Sequence, residues 1–368
     1  VLFALFPTIF LYSFNKWFFS FEGFLLAAAF AVFIAFLVWL PTGFLLKDYK
    51  KGALISSLFL ILFFSYGTLD QVRYLPAIVN IIGVLRVRLF LLLVGGIFFV
   101  GVYTAARTKR NLQWFTASPN ATAIFLISIS LFNIGLYEYR LRSIYNTIPR
   151  EGDGQENAGG VPESLPPDIY HIILDAYGRA DVLEKHFGYS NNELYRYLEE
   201  RGFYIADQST SNYGWTLLSF PSFLNMNYMN HFSDMYGEGA KWQDVLLAQP
   251  LVEDNAVQKF LRSKGYTYVH FDSGYSRTEN NRNADILLRA EIVPVDFLDA
   301  LISTTALKPF SFRFKGVSTN KRTRILFEFE KLREIPGMDI KHPLYAFMHV
   351  VAPHGPYALN SDCGPARE

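Results

Sequence analysis

Asp168-Ile-Tyr-His-Ile-Ile-Leu-Asp175-Ala-Tyr-Gly178 is the stretch around which the chain is organised. Five apolar or aromatic side chains in a short run, closed by Ala-Tyr-Gly, predict a buried β-strand that stops at Asp175. In open α/β sheets, chemistry collects at the carboxyl ends of strands. Further on, Asn212-Tyr-Gly-Trp-Thr216-Leu-Leu-Ser219-Phe-Pro221-Ser222-Phe-Leu-Asn225 sets a hydroxyl, Thr216, just ahead of an apolar segment. That segment is expected to be helical, with Pro221 in its first turn, where a missing N–H costs nothing. A helix start offers unpaired N–H groups and positive potential to an anion. A strand-end carboxylate followed by a hydroxyl at a helix start suits metal-assisted attack on a phosphate or sulfate ester.

Strand and helix alternate from Asp168 onward. Asn191–Arg201 predicts an amphipathic helix with asparagine caps, stopped by Gly202 and followed by a strand over Phe203–Ala206. Glu253–Lys264 repeats the pattern, closed by Gly265 and followed by the strand Tyr266–Phe271. Thr319–Glu334 predicts a long charged helix and Leu344–Val351 a buried strand. The alternation argues for a mainly parallel sheet with helices on both faces.

Upstream the composition is different. Hydrophobic residues make up 51% of the chain, concentrated in residues 1–139. Apolar runs at 22–46, 52–69, 87–106 and 120–138 each approach the ~20 residues that cross a bilayer, and residues 1–13 read as the end of another span. Residues 75–86, interrupted by Pro76 and Asn80, fit an interfacial piece or part of a long fourth span. Buried helices of a soluble protein would need polar faces, which these runs lack. The fold expected is thus an N-terminal polytopic α-helical membrane domain (1–139, about five spans), a linker (140–167) and an α/β domain (168–368). The linker carries the flexible acidic stretch Glu151–Gly160 and is stiffened by Pro162, Pro166 and Pro167. Lys47, Lys50 and Lys51 lie in one short loop and Arg107, Lys109 and Arg110 in another, which puts both in the cytoplasm. Arg86 and Arg88 weigh the other way. Five spans then leave residue 1 inside and the α/β domain extracytoplasmic.

The formal net charge of +1 gives no electrostatic case for nucleic acid. A single cysteine, Cys363, excludes an intrachain disulfide and a cysteine zinc site. The chain opens at Val1 inside an apolar run and stops at Glu368 shortly after a motif, so it reads as a fragment at both ends.

The two blocks around Asp175 and Thr216, with Tyr345-Ala-Phe-Met-His349-Val-Val-Ala-Pro353-His354-Gly-Pro356-Tyr357, resemble the alkaline phosphatase and sulfatase superfamily. They are most similar to its membrane-anchored phosphoglycerol and phosphoethanolamine transferases, the lipoteichoic acid synthase type. The resemblance covers roughly residues 165–360. It implies an alkaline-phosphatase-like α/β domain in which Asp175 and Thr216 bind a divalent metal (Mn, Zn, Mg or Ca) and Thr216 is the nucleophile. The third block resembles a family strand ending in His-x-x-x-Pro-His-x-Pro, whose histidine contributes to the active site; here that is His354. The implied partners are a lipid-linked phosphate donor, a cell-envelope glycan or lipid acceptor, and the bilayer.

Alternatives stand beside each assignment. Ser219-Phe-Pro221-Ser222-Phe223 imitates the sulfatase Cys/Ser-x-Pro-x-Arg, but Phe223 occupies the arginine position, and the register of Leu224-Asn225-Met226 favours Thr216 over Ser219. Both hydroxyls also suit capping without chemistry. His349, on the strand, reads as a packed core residue or a substrate contact; His354, in the turn, suits phosphate binding or protonation of a leaving alkoxide. Asn212 and Trp215 are expected to shape the pocket, Asp272 and Arg277 to lie within reach of substrate, Asp181 to cap a helix, and His171 and His270 to be structural. The family's downstream Ser-Asp-His-Gly-like pair is not in the sequence, which leaves the implied ligand set incomplete. The activity expected is headgroup transfer through a phospho-Thr216 intermediate. The alternatives are a sulfatase or phosphodiesterase and a catalytically inactive envelope scaffold.

Overall fold

The computed structural model describes residues 1–16, 18–72, 87–109, 113–147, 166–230, 245–275, 278–308 and 316–366. The interfacial piece expected at 75–86, most of the expected linker and Arg277 lie outside these. The chain forms two compact units: Val1–Tyr139 with Val293–Val317, and Arg140–Ile292 with Ser318–Glu368.

The first unit is helical: α1 (Leu2–Asn15), α2 (Phe21–Leu45), α3 (Tyr49–Val72), α4 (Val87–Arg107) and α5 (Gln113–Thr147), whose last residues belong to the second unit. Among the described residues, three stretches are long and apolar enough to cross a membrane: Phe21–Leu45, Tyr49–Gly67 and Ala117–Ser143. Leu2–Asn15 and Leu92–Arg107 are apolar but shorter. Packing follows small residues. Gly23, Ala27, Ala31 and Ala35 form a buried stripe at every fourth position of α2, and α2 and α3 come closest where Gly52 meets the Gly43 backbone. Small side chains let apolar helices approach where no hydrophobic gain drives them together. Large residues such as Phe33, Leu37, Phe99 and Phe132 point outward, as a lipid-facing surface requires. Lys51 Nζ donates to Ala106 O at 2.9 Å, so the α2–α3 loop and the end of α4, both basic in sequence, lie at the same end of the bundle.

The second unit holds a four-stranded parallel sheet in the order β1 (Ile169–Leu174), β4 (Leu344–Val350), β2 (Thr267–Phe271), β3 (Ile286–Leu288). Along the chain its helices are α6 (Ala180–Phe187), α7 (Asn192–Glu199), α8 (Thr216–Leu224), the single turn α9 (Pro250–Glu253), α10 (Ala256–Ser263) and α12 (Gly316–Glu334). The eight-residue α11 (Asp296–Ser303) belongs to the first unit. Every residue of β4 is buried. Leu344, Ala346, Met348 and Val350 pack with Ile325 and Leu332 of α12; Tyr345 and Phe347 pack with Phe220 and Leu224 of α8 and Val257 and Leu261 of α10. Helices therefore cover both faces of β4, as the strand–helix alternation implies. Asp168 sets the start of the β1–β4 pair, accepting from Leu344 N–H at 2.9 Å and approaching His342 Nδ1 at 2.8 Å.

Three expectations fail. β1 is not a buried strand: it lies at the end of the strand order, and Tyr170 and Ile172 are 39% and 42% exposed. Phe203–Ala206 is not a strand: Phe203 and Tyr204 are 62% and 88% exposed, and no strand among the described residues pairs with them. Pro221 is not in the first turn of its helix. α8 starts at Thr216, so Pro221 falls in the second turn and removes the N–H that Leu217 O would accept four residues back. Gln249 Nε2 donates to that carbonyl instead, at 3.1 Å.

Charges gather where α12 crosses the end of β2. Asp272 accepts from Gly274 N–H at 2.8 Å and pairs with Arg289 at 3.2 Å and with Arg324 at 3.6 Å. Gly274 has φ +65° and no room for a Cβ, since the Arg324 guanidinium lies against it. One turn along α12, Glu328 is buried with neither carboxyl oxygen hydrogen-bonded among the described residues. Burial pushes its carboxyl up to about 9; Arg324 opposes the shift and Asp272 adds to it. The folded state thus holds a proton that the unfolded chain releases near pH 4.5, and stability falls as pH rises from about 4.5 towards 9. Glu328→Gln should remove this part of the slope, read as thermal midpoint against pH for wild type and variant.

Candidate functional site

Alternation along the strands decides what meets at the carboxyl edge. Ile173 pairs with His349, and both point to the α8 side; Asp175, two residues past Ile173, returns to that side. Its N–H continues the ladder to Val350 O at 2.9 Å. Ala176 then turns the chain with φ +66°, a left-handed conformation that costs a non-glycine residue about 1 kcal/mol and is found mainly where surrounding structure imposes it. The Asp175 side chain stays largely buried, 13% exposed.

His349 is fully buried at the end of β4. Its ring packs edge-on against Phe220 of α8, centroids 4.7 Å apart, and against Tyr275 at 5.5 Å. Nδ1 lies 2.7 Å from Thr278 Oγ1. Thr278 has one hydroxyl proton, which it donates to Tyr275 O at 2.9 Å. Ser273 Oγ lies 2.8 Å from the same hydroxyl, and the second ring nitrogen of His349, Nε2, points the other way. Nε2 faces Asp175 Oδ2 at 3.7 Å, an ion-pair approach too long for a hydrogen bond, and neither atom has a hydrogen-bond partner among the described residues. Buried polar atoms left without a hydrogen bond call for a partner, and a cation between them would serve both. Burial opposes ionisation of Asp175, but His349, with His354 and Ala176 N–H, holds its carboxyl below the usual range.

The turn after β4 is fastened to Asp175 and to α12. His354 N–H donates to Asp175 O at 3.0 Å, and Lys321 Nζ of α12 donates to His354 O at 2.6 Å and to Pro356 O at 2.9 Å. The exposed His354 ring lies with Nδ1 2.6 Å from Gly355 O, an acceptor only, so Nδ1 carries a proton and Nε2 faces outward. Burial draws the Lys321 ammonium down, and the Asp175 carboxylate counters it.

α8 runs against the strands. Phe220 touches His349 and Phe347, while Phe223, further along, touches His171, whose register partner is Phe347. The start of α8 is therefore directed to the carboxyl edge, and Thr216, four residues before Phe220, shares its face. Thr216 is half-buried, and Trp215, the residue before the helix, gives no side-chain cap. Ser219 Oγ lies 3.1 Å from Ser211 Oγ. Asn212 donates to Ser222 Oγ at 3.0 Å, tying the approach loop to the helix, and Trp215 is 56% exposed. Asp181 lies in the first turn of α6 and pairs with Arg179 at 2.6 Å. Asp272 is occupied by arginines, as described above. His270 is buried, with Nε2–H donating to Thr278 O at 3.0 Å and Nδ1 beside Tyr268 OH at 2.9 Å. Burial draws its pKa down to about 4. His171 Nδ1 meets Tyr345 OH at 3.1 Å.

Among the described residues, no group of three or more His, Cys, Asp and Glu side chains gathers to hold a metal. The facing pair is nevertheless suited to one: ligands about 2.0–2.2 Å from a shared ion lie roughly 3–4 Å apart. Thr278, Tyr275 and Lys321 were not anticipated from the sequence, where nothing marks them as neighbours of Asp175. Comparisons with known proteins found no matching family model, no matching curated protein and no matching solved structure.

The two histidines should separate by stability. His349→Ala empties a packed site and should cost a few kcal/mol, about 2–4. His354→Ala, in an exposed turn, should shift the thermal midpoint little.

Proposed function

We propose that the α/β unit is a metal-assisted enzyme acting on phosphate esters, which transfers a phosphate-bearing headgroup from a lipid donor through a phospho-Thr216 intermediate. The observation that carries the reading is that Asp175 Oδ2 and His349 Nε2, neither with a hydrogen-bond partner among the described residues, face each other at 3.7 Å at the carboxyl edge to which the start of α8 is directed. Asp175 and His349 are the residues that would hold the cation. When bound there, a divalent ion supplies charge neutralisation and lowers the pKa of an adjacent hydroxyl. The uncapped start of α8 offers N–H groups and positive potential to the phosphoryl oxygens. Thr216 Oγ attacks phosphorus; the donor's P–O bond breaks and His354 Nε2–H, in the imidazolium form, protonates the leaving alkoxide. An acceptor hydroxyl then gives its proton to His354, attacks phospho-Thr216 and releases the threonine.

The lipid source is supported by the apolar helices of the same chain. The extracytoplasmic side is supported by the two basic loops, which share one end of the bundle through Lys51 and Ala106.

In the full-length protein, Thr216→Ala should abolish turnover of a lipid phosphodiester in vesicles, whereas Ser219→Ala should keep most of it. Mass spectrometry of the quenched enzyme should find phosphate on Thr216. Calorimetric titration with Mn or Zn should give weaker binding for Asp175→Asn and His349→Gln. Loss of activity in the Ser219 variant alone would move the nucleophile to Ser219 and favour a sulfatase. Release of product to water with no acceptor dependence would make the enzyme a hydrolase.

A further inference from the structure

Residues 293–308 lie by sequence between β3 and α12 of the α/β unit, yet they fold into the helical unit. The eight-residue α11 is amphipathic, and its buried residues are Phe297, Leu301 and Ile302. Phe297 is 1% exposed and enters an aromatic nest: Tyr12 of α1 at 5.7 Å, Phe19 at 5.1 Å and Phe24 of α2 at 6.1 Å between ring centroids. Leu301 is fully buried in the same cluster as Ala27, Ala31, Phe63 and Phe64. Gly23 lets the backbone at Pro294 close in: a Cβ there would lie 3.1 Å from Pro294 O.

The backbone contacts are more specific than the side-chain packing. Gly67 N–H donates to Thr304 O at 2.8 Å, and Phe63 O accepts from Ala306 N–H at 2.9 Å. Phe63 O and Gly67 N–H, four residues apart, are the acceptor and donor that an uninterrupted helix would pair with each other. Both bond to the segment after α11. A Cβ on Gly67 would lie 2.7 Å from Thr304 Cα and 2.9 Å from Ser303 O, all backbone, so only glycine fits. Irregular backbone at membrane depth is tolerable only where it is bonded into the protein, as Thr304 and Ala306 are here.

We propose that residues 293–308 are a re-entrant anchor: a piece of the α/β sequence built permanently into the membrane bundle, at the end opposite the basic loops. The end follows from the contacts. Tyr12, Phe19, Gly23, Phe63 and Gly67 lie at the finish of α1, the start of α2 and the lower part of α3, whereas Lys47, Lys50 and Lys51 lie between the finish of α2 and the start of α3. The chain that leads to the Asp175 site is thereby fastened to the bilayer by a second connection besides α5. Its consequence for a lipid donor rests on the function proposed above; its existence does not.

Two independent readouts test it in the full-length protein in native membranes, with Cys363→Ser as background. Tyr12→Cys with Phe297→Cys should cross-link with a short bis-thiol reagent, and Lys50→Cys with Phe297→Cys should not. Failure of the first pair, or equal yield from both, overturns the anchor. Phe297→Asp should lower the thermal midpoint and open a protease site within 293–308, while Val293→Ser, at a 61% exposed position, should do neither. For activity, Phe297→Asp should lower turnover of a vesicle-embedded lipid phosphodiester at least about tenfold, through lost effective concentration. Turnover of a water-soluble aryl phosphodiester should stay within about twofold of wild type, since the Asp175 site itself is untouched. Parallel loss on both substrates overturns the tethering role. Turnover of neither by wild type would sink the proposed function and leave the cross-link to judge the anchor.

Discussion

A strand buried on both faces has nowhere to put an unsatisfied polar atom, and β4 is such a strand. Four of its seven residues go to the α12 face and three to the α8 face, and the third of these is His349. Phe220 and Tyr275 hold the ring from the sides and Thr278 holds one nitrogen. The other nitrogen faces Asp175 Oδ2 at 3.7 Å, with no hydrogen-bond partner among the described residues. A buried polar atom without a partner lowers stability, and such atoms persist where they serve a ligand. The position of Asp175 follows from the same strand, because the β1–β4 register delivers it beside His349.

α12 ties the two neighbouring strand ends together from behind. Lys321, Arg324 and Glu328 recur at helical spacing, and each meets a different demand. Lys321 fastens the turn that carries His354, Arg324 neutralises Asp272, and Glu328 stays buried and protonated. A surface ion pair would contribute little to this arrangement, but Asp272 and Arg324 are nearly buried, so losing either partner would strand the other.

The sequence was legible where a pattern is local. Apolar runs of bilayer length, the apolar runs of β1, β2 and β4 and the glycine stops need only neighbouring residues to be read. Asp175 stood out because it follows such a run. β3 did not, since three residues become a strand only through pairing with β2. Phe203–Ala206 has strand-like composition but no partner, and composition without pairing does not make a strand. Thr278 is 71 residues from the histidine it orients, and α11 is held by aromatic residues almost the whole chain away. Contacts of that separation leave no local trace.

The nucleophile candidate depends on the same long-range support. α8 has nine residues, too few to be stable alone, and a proline interrupts its ladder. It is held from outside. Gln249 covers the carbonyl that Pro221 leaves open, Asn225 donates to Leu251 O at 2.9 Å and accepts from Ala256 N–H, and Ser222 links Asn212 to Asn227 O. These ties bind the end of α8 to α9, α10 and the approach loop, and its beginning to Gln249. With both ends fixed, the proline break becomes an advantage: the helix cannot slide along the sheet, because each displaced turn would forfeit a side-chain hydrogen bond made at one particular residue. The direction of Thr216 toward the carboxyl edge is thus a property of the surrounding polar side chains, and only indirectly of the helix that carries it.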